Sequence, residues 1–185
     1  MTGRRRRVRS DSAANRERIV RTASRLFGER GVDVPLDEIA AASGLGSATL
    51  HRHFRGRAGL VLAVLDAEAA RLAARAGLPL ADLDPEQALR AWLSDLIAFT
   101  MSYRGLAVLL AAQDADTTLE ARHQALTGAC QHLLAAAQAV GRVRADIDVV
   151  TVLRLAHGIA VAAAGSADMA VRLAEVMMDG LAVRP

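Results

Sequence analysis

The sequence predicts an all-α protein of nine helices, and three observations lead there. Apolar residues make up 52% of the 185, rich in Ala and Leu, while aromatics are 3% and prolines number 4. Apolar positions recur at the three-, four- and seven-residue spacings of a helix with one buried face. Glycines fall mainly where those patterns break, as turns and helix C-caps require. A chain of this length can bury a substantial core.

The elements follow in order. Residues 1–10 form a basic arm, read as disordered. From about Ala13 to Arg30, Ile19, Ala23, Leu26 and Phe27 make one apolar stripe, and Gly31 closes the helix. Two short helices follow, over about 36–43 and 47–54. A longer one starts near Arg57 and carries Leu60, Val61, Val64, Leu65 and Leu72 on one side. Residues 77–84 are a loop. Asp84-Pro85-Glu86-Gln87 then places Asp at the N-cap, Pro at N1 and Gln at N3, a strong helix start. The helix it opens carries Leu89, Trp92, Leu93, Leu96 and Phe99 to about Met101.

A short apolar helix is expected at 105–112 and a long one at about 118–140, ending at Gly141. Asp148 caps a segment over 149–164 that is apolar nearly all round except Thr151, Arg154 and His157. Ser166 caps a last helix bearing Met169, Leu173, Val176 and Met177. A helix apolar on every side must be covered on every side. A second copy of the chain is the expected cover, with Leu153, Ile159, Leu173 and Met177 at the interface of a homodimer.

The most informative stretch is 37–57, DEIAAASGLGSATLHRHFRGR. Ile39 and Ala40 give the first short helix its apolar face. Gly44 and Gly46 bracket Leu45 in a tight bend. Ser47 can cap the second short helix, whose Leu50 and Phe54 bury one face. Ser47, Ala48, Thr49, His51, Arg52 and His53 are left on or near the surface. A helix-turn-helix presents its second helix to the DNA major groove in this way. Arg52 is the best candidate to reach a base edge, because arginine pairs two-pronged with guanine O6 and N7.

Charge agrees. All 23 basic residues are arginine. Residues 1–57 hold 13 of them against 6 acids, whereas residues 58–185 hold 10 against 14. A strongly basic front and an acidic remainder fit a polyanion partner for the front. The run Arg4–Arg9 can enter a minor groove or follow phosphates, or serve as a solubilising tail.

At this point the chain resembles the TetR family of bacterial transcriptional regulators. The matching run is Ile19–Gly31, then Ile39–Gly44, then Ser47–Phe54, and Arg57–Leu60. The resemblance implies three N-terminal helices that bind double-stranded DNA at a palindromic operator. It also implies later helices around a small-molecule pocket and a dimer formed by the last two helices. Domains are then the 1–10 arm, a DNA-binding domain over 11–57 and a ligand-binding and dimerisation domain over 58–185. Candidates for the cavity are Trp92, Phe99, Tyr103, Arg122 and His123. There are departures. His51 stands where the family usually has Tyr, Arg57 replaces the usual Lys with its phosphate-gripping charge kept, and Pro35 offers no capping hydroxyl.

Other function classes find little support. His51 and His53 diverge by about 200° on a helix, and His123 and His132 by about 180°, so neither pair is a metal site. There is no nucleophile elbow, phosphate loop or Cys/His cluster, so neither enzyme activity nor a cofactor is expected. The longest uncharged stretch near the C-terminus, 155–167, is short of the ~20 apolar residues that span a bilayer. The arginine run precedes no apolar segment and so is no export signal. A lone Cys130 fits a reducing cytoplasm. The favoured reading is a ligand-responsive repressor. The alternative is a helical dimeric interaction module, or a constitutive DNA binder without an inducer pocket.

Overall fold

The structure, a computed structural model, describes residues 2–77, 84–102 and 116–183, with side chains from residue 11 and, beyond 116, from residue 122. The described residues form eight helices: α1 Thr2–Arg30, α2 Leu36–Ala42, α3 Ser47–His53, α4 Gly56–Ala76, α5 Pro85–Ser102, α6 Asp116–Ala139, α7 Val149–Ala162 and α8 Ala167–Leu181. The chain has the all-α architecture expected, and the ninth helix, at 105–112, lies outside the described residues. Two compact units divide it at Ala67/Glu68, within α4.

Helix α1 corrects one expectation. Residues 1–10 were expected to be disordered, yet the helix runs from Thr2. Arginine is among the better helix formers and only Gly3 interrupts the run, so the backbone follows local propensity without an apolar stripe to anchor it.

In the first unit α1 packs on α2 and α3, and α2 on α3. Ile19, Ala23, Leu26 and Phe27 of α1 meet the interior together with Ile39 and Leu50, all buried. Gly31 has φ +81° and its N–H donates to Phe27 O at 2.9 Å, closing α1 in the left-handed conformation that glycine adopts most cheaply.

In the second unit α5 is central, packing on α6, α7 and α8, while α7 packs on α6 and α8. Leu89, Leu93, Leu133, Leu134 and Val152 lie in one core cluster. Burying each such side chain contributes about 1.5–3 kcal/mol. Cys130 is fully buried there, and desolvation pushes its thiol up to about 12. The indole N–H of Trp92 donates to Leu72 O at 2.9 Å, and Arg75 pairs with Asp95 at 2.5 Å, so α4 is tied to α5 twice.

Three of the caps read from sequence form as expected. Asp84 accepts from Glu86 N–H at 2.8 Å, Asp148 from Thr151 N–H at 2.7 Å and Ser166 from Met169 N–H at 3.2 Å. The α6–α7 connection is held by Gln138, whose Nε2 donates to Arg144 O and Ile147 O, both at 3.0 Å. It is held also by an antiparallel bridge between Val143 and Ala182 beyond α8. Among the described residues no helix is long and apolar enough to cross a membrane.

Candidate nucleic-acid interface

The turn between α2 and α3 is built from backbone geometry. Gly44 sits at φ +67°, its N–H donating to Ala41 O at 2.9 Å, while Leu45 N–H donates to Ala40 O at 3.0 Å. That pair of bonds is a Schellman closure, and it satisfies the last carbonyls of α2. The buried Ser43 hydroxyl adds a 2.8 Å bond to Ala40 O. The chain leaves the turn through Gly46, extended at φ −74°, ψ 149°, which caps α3 without a side-chain bond.

Ser47 therefore does not cap its own helix, as the sequence had led us to expect. Its hydroxyl donates instead to Asp37 Oδ1 at 2.5 Å and fixes the start of α3 against α2. A β-hydroxyl competes among nearby acceptors, and a carboxylate one helix away outbids the α3 amides. Pro35 starts α2 with no side-chain cap bond, as its chemistry requires.

Leu50, 0% exposed, and Phe54, buried at the end of α3, anchor the helix from below. The other face is open: Ala48, His51 and Arg52 are exposed, and Ser47, Thr49 and His53 half-buried. Arg52 lies along this face, Nε donating to Ala48 O at 3.2 Å and Nη2 to Thr49 Oγ1 at 3.1 Å. Both contacts are within one helix and exposed, so incoming acceptors of a base can replace them at small cost.

Arg57 makes contacts within the protein that its spacing in the sequence does not show. Its Nη1 donates to the carbonyls of Val32 and, at 2.8 Å, of Val34 in the α1–α2 connection. The half-buried guanidinium is thus a strut beneath the unit, occupied by carbonyls that lacked helical partners. Sequence spacing showed its charge but not those acceptors. Two other ties had no sequence signal beyond residue type: Arg16 stacks over the Phe54 ring at 5.3 Å, and Arg30 pairs with Glu38.

The expected cavity residues divide. A cleft of about 450 Å³ in the second unit is flanked by α5, α6 and α7, and His123 and Leu153 line it. Trp92, Phe99 and Arg122 are not among its lining residues. Trp92 is spent in the core, where Leu72 O satisfies its indole, and Phe99 packs against the same core. Tyr103 lies outside the described residues. Arg154 and His157 line the cleft unforeseen, although their three-residue spacing on an otherwise apolar segment was a usable signal.

The residues expected at the dimer interface are partly or fully buried within one copy of the chain. Ile159 and Met177 are buried in their own unit's core, and Leu153 and Leu173 are half-buried against it. Apolar residues exposed on these two helices are Val150, Leu155 and Val161 on α7 and Met169, Val171 and Val176 on α8. An apolar run does not say which of its residues meets the home core first, and α5 claimed the Ile159 side.

Three packed helices offering a short cationic helix from a glycine turn define a helix-turn-helix protein of the DNA-binding class. Residues 19–64 match the family model for bacterial regulatory proteins of the tetR family, and residues 84–183 that for the C-terminal domain of SbtR-like transcriptional regulators. The chain belongs to the TetR family of bacterial transcriptional regulators. It is similar to the TetR transcriptional regulator SCO0520 of Streptomyces coelicolor, with 34% identity, 92% of this chain and 99% of that one covered, and a TM-score of 0.78. It is similar also to a TetR regulatory protein of Mycobacterium vanbaalenii, with 32% identity, 95% and 99% covered, and a TM-score of 0.73. A helix-turn-helix regulator of Staphylococcus aureus, SAB2452, is 37% identical over 62 residues, 33% of this chain and 34% of that protein. The match thus spans about a third of that curated relative's length.

Proposed function

We propose that this DNA-binding regulator is a dimeric repressor that holds a palindromic operator and is released from it by a small molecule. The observation that carries the reading is the open α3 face: Ala48, Thr49 and Arg52 stand on one side of a helix whose opposite side is fixed by Leu50 and Phe54. Ser47, His51 and His53 flank that face and reach phosphates or neighbouring bases.

A second copy supplies the symmetry. Val161 is 42% exposed and Val176 69% exposed, on helices that pack together at the end of the chain. Exposed aliphatic stripes of this kind are costly in water and are covered by self-association. Two α3 helices related by a two-fold axis meet successive major grooves ~34–36 Å apart. The cleft beside α7 supports the effector half of the proposal. A ligand that prefers the conformer with the α3 helices out of register lowers DNA affinity, with couplings typically ~1–3 kcal/mol.

Genome-wide footprinting of the full-length chain tests this. Protection of short palindromes with half-sites one helical turn apart is expected. Even protection of unrelated duplexes would favour a binder without operator specificity.

A further inference from the structure

The cleft beside α7 has a chemistry of its own. Leu96, Leu126, Val150 and Leu153 give it aliphatic walls, and its volume, about 450 Å³, suits a small organic molecule. Among the described lining residues there is no carboxylate, although residues 58–185 as a whole carry 14 acids against 10 arginines. The polar groups present are Arg154, His123, His157, Thr100 and Thr127. A cationic, donor-rich patch inside an acidic unit is a local inversion of charge.

Arg154 is permanently charged and exposed, and it makes no hydrogen bond or ion pair at contact distance among the described residues. Asp148 lies near enough to feel its charge, but Oδ1 of Asp148 is engaged by Thr151 N–H. Thr127 Oγ1 is shielded from solvent and has no hydrogen-bond partner among the described residues, a costly state for a buried hydroxyl. Thr100 donates to Leu96 O at 2.8 Å, which leaves its oxygen free only to accept. Imidazoles at positions 123 and 157 can donate in either charge state. Donors therefore outnumber acceptors, and the one fixed charge is positive.

We propose that this cleft binds a small amphipathic organic acid, its carboxylate paired with Arg154 and its hydrocarbon part laid against Leu96, Leu126 and Leu153. The guanidinium fork matches a carboxylate bidentately, and the aliphatic walls beside it suit a hydrocarbon part. Thr127 and the two histidines supply the remaining donors. This rests on the effector reading above and names the ligand class for it.

The test uses octanoate, octan-1-ol and octylamine as probes of equal chain length, measured by calorimetry and thermal shift on the full-length protein. Octanoate is expected to bind tightest. Arg154→Gln, at an exposed position that leaves the fold intact, should weaken octanoate at least tenfold and leave octan-1-ol unchanged. Arg154→Lys should restore part of the loss. Thr127→Val should weaken octanoate by a smaller factor.

Equal or tighter binding of octan-1-ol or octylamine, octanoate binding unaffected by Arg154→Gln, or no binding of any probe at millimolar concentration would overturn the proposal. Operator release is read separately. Octanoate binding with that pattern but without release upholds the ligand class and removes the effector reading; release by octylamine alone does the reverse.

Discussion

At the scale of single residues, Arg52 and Arg57, close together in the sequence, are held in different ways. Arg52 rests on its own helix by exposed bonds to Ala48 O and Thr49 Oγ1, and its guanidinium can turn to a guanine edge. Arg52→Ala should cost ~1–3 kcal/mol of operator binding and relax the base preference at one position per half-site. Competition binding against single-base operator variants measures this; unchanged affinity and preference would remove Arg52 from the reading face. Arg57 is a strut, with Nη1 on Val32 O and Val34 O. Arg57→Ala should therefore lower stability by about 1.5–3 kcal/mol, the worth of hydrogen bonds to a charged group. It should hardly change the salt dependence of DNA binding. A flattened salt slope with unchanged melting temperature would return Arg57 to phosphate contact. Residue type and spacing showed both arginines in the sequence. They could not show that two backbone carbonyls would reach Arg57 first.

At the scale of elements, helix starts were the most legible feature, because a cap is a local contract between neighbours in sequence. Asp84, Asp148 and Ser166 each accept from an amide two or three residues on. Asp148 carries a pH consequence. The backbone N–H of Thr151 holds its carboxyl below the usual carboxylate range. A folded pKa below the unfolded one gives stability that is present above the unfolded value, near ~4, and is lost as pH falls through the folded one. Asp148→Ala should lower the melting temperature at neutral pH, and the gap to the parent should close as the solution is acidified. A gap constant down to strongly acid pH would show that the cap bond contributes nothing.

Faces were less legible than starts. The segment 149–164 reads as apolar nearly all round, and only packing shows that Ile159 turns inward while Val161 stays out. The exposed stripe on α8 is likewise Val176 with Met169, rather than Met177. Val176→Asp should give a folded monomer by light scattering at micromolar concentration, since the side chain is exposed and the home core is untouched. A dimer that survives this change would place the interface elsewhere. The cleft beside α7 was the least legible element. Its polar lining comes from α5, α6 and α7, so proximity depends on how three helices pack, and the large aromatic expected to wall it, Trp92, is drawn into the core by a carbonyl of α4.

At the scale of the whole molecule, charge is unevenly divided along the chain. The basic front carries α3, and the acidic remainder carries the cleft and the exposed stripes of α7 and α8. Phosphate attraction alone would bring any duplex to the front, and it weakens steeply with salt. Base reading by Arg52 and its neighbours, as proposed, would add a term that salt does not erase. The direct test is the affinity of the full-length chain for its protected palindrome and for a shuffled duplex of equal composition, measured over a range of salt. A ratio of ~10³ or more in favour of the palindrome is expected at physiological salt, typical of specific over non-specific binding. Two curves that coincide at every salt concentration would contradict it.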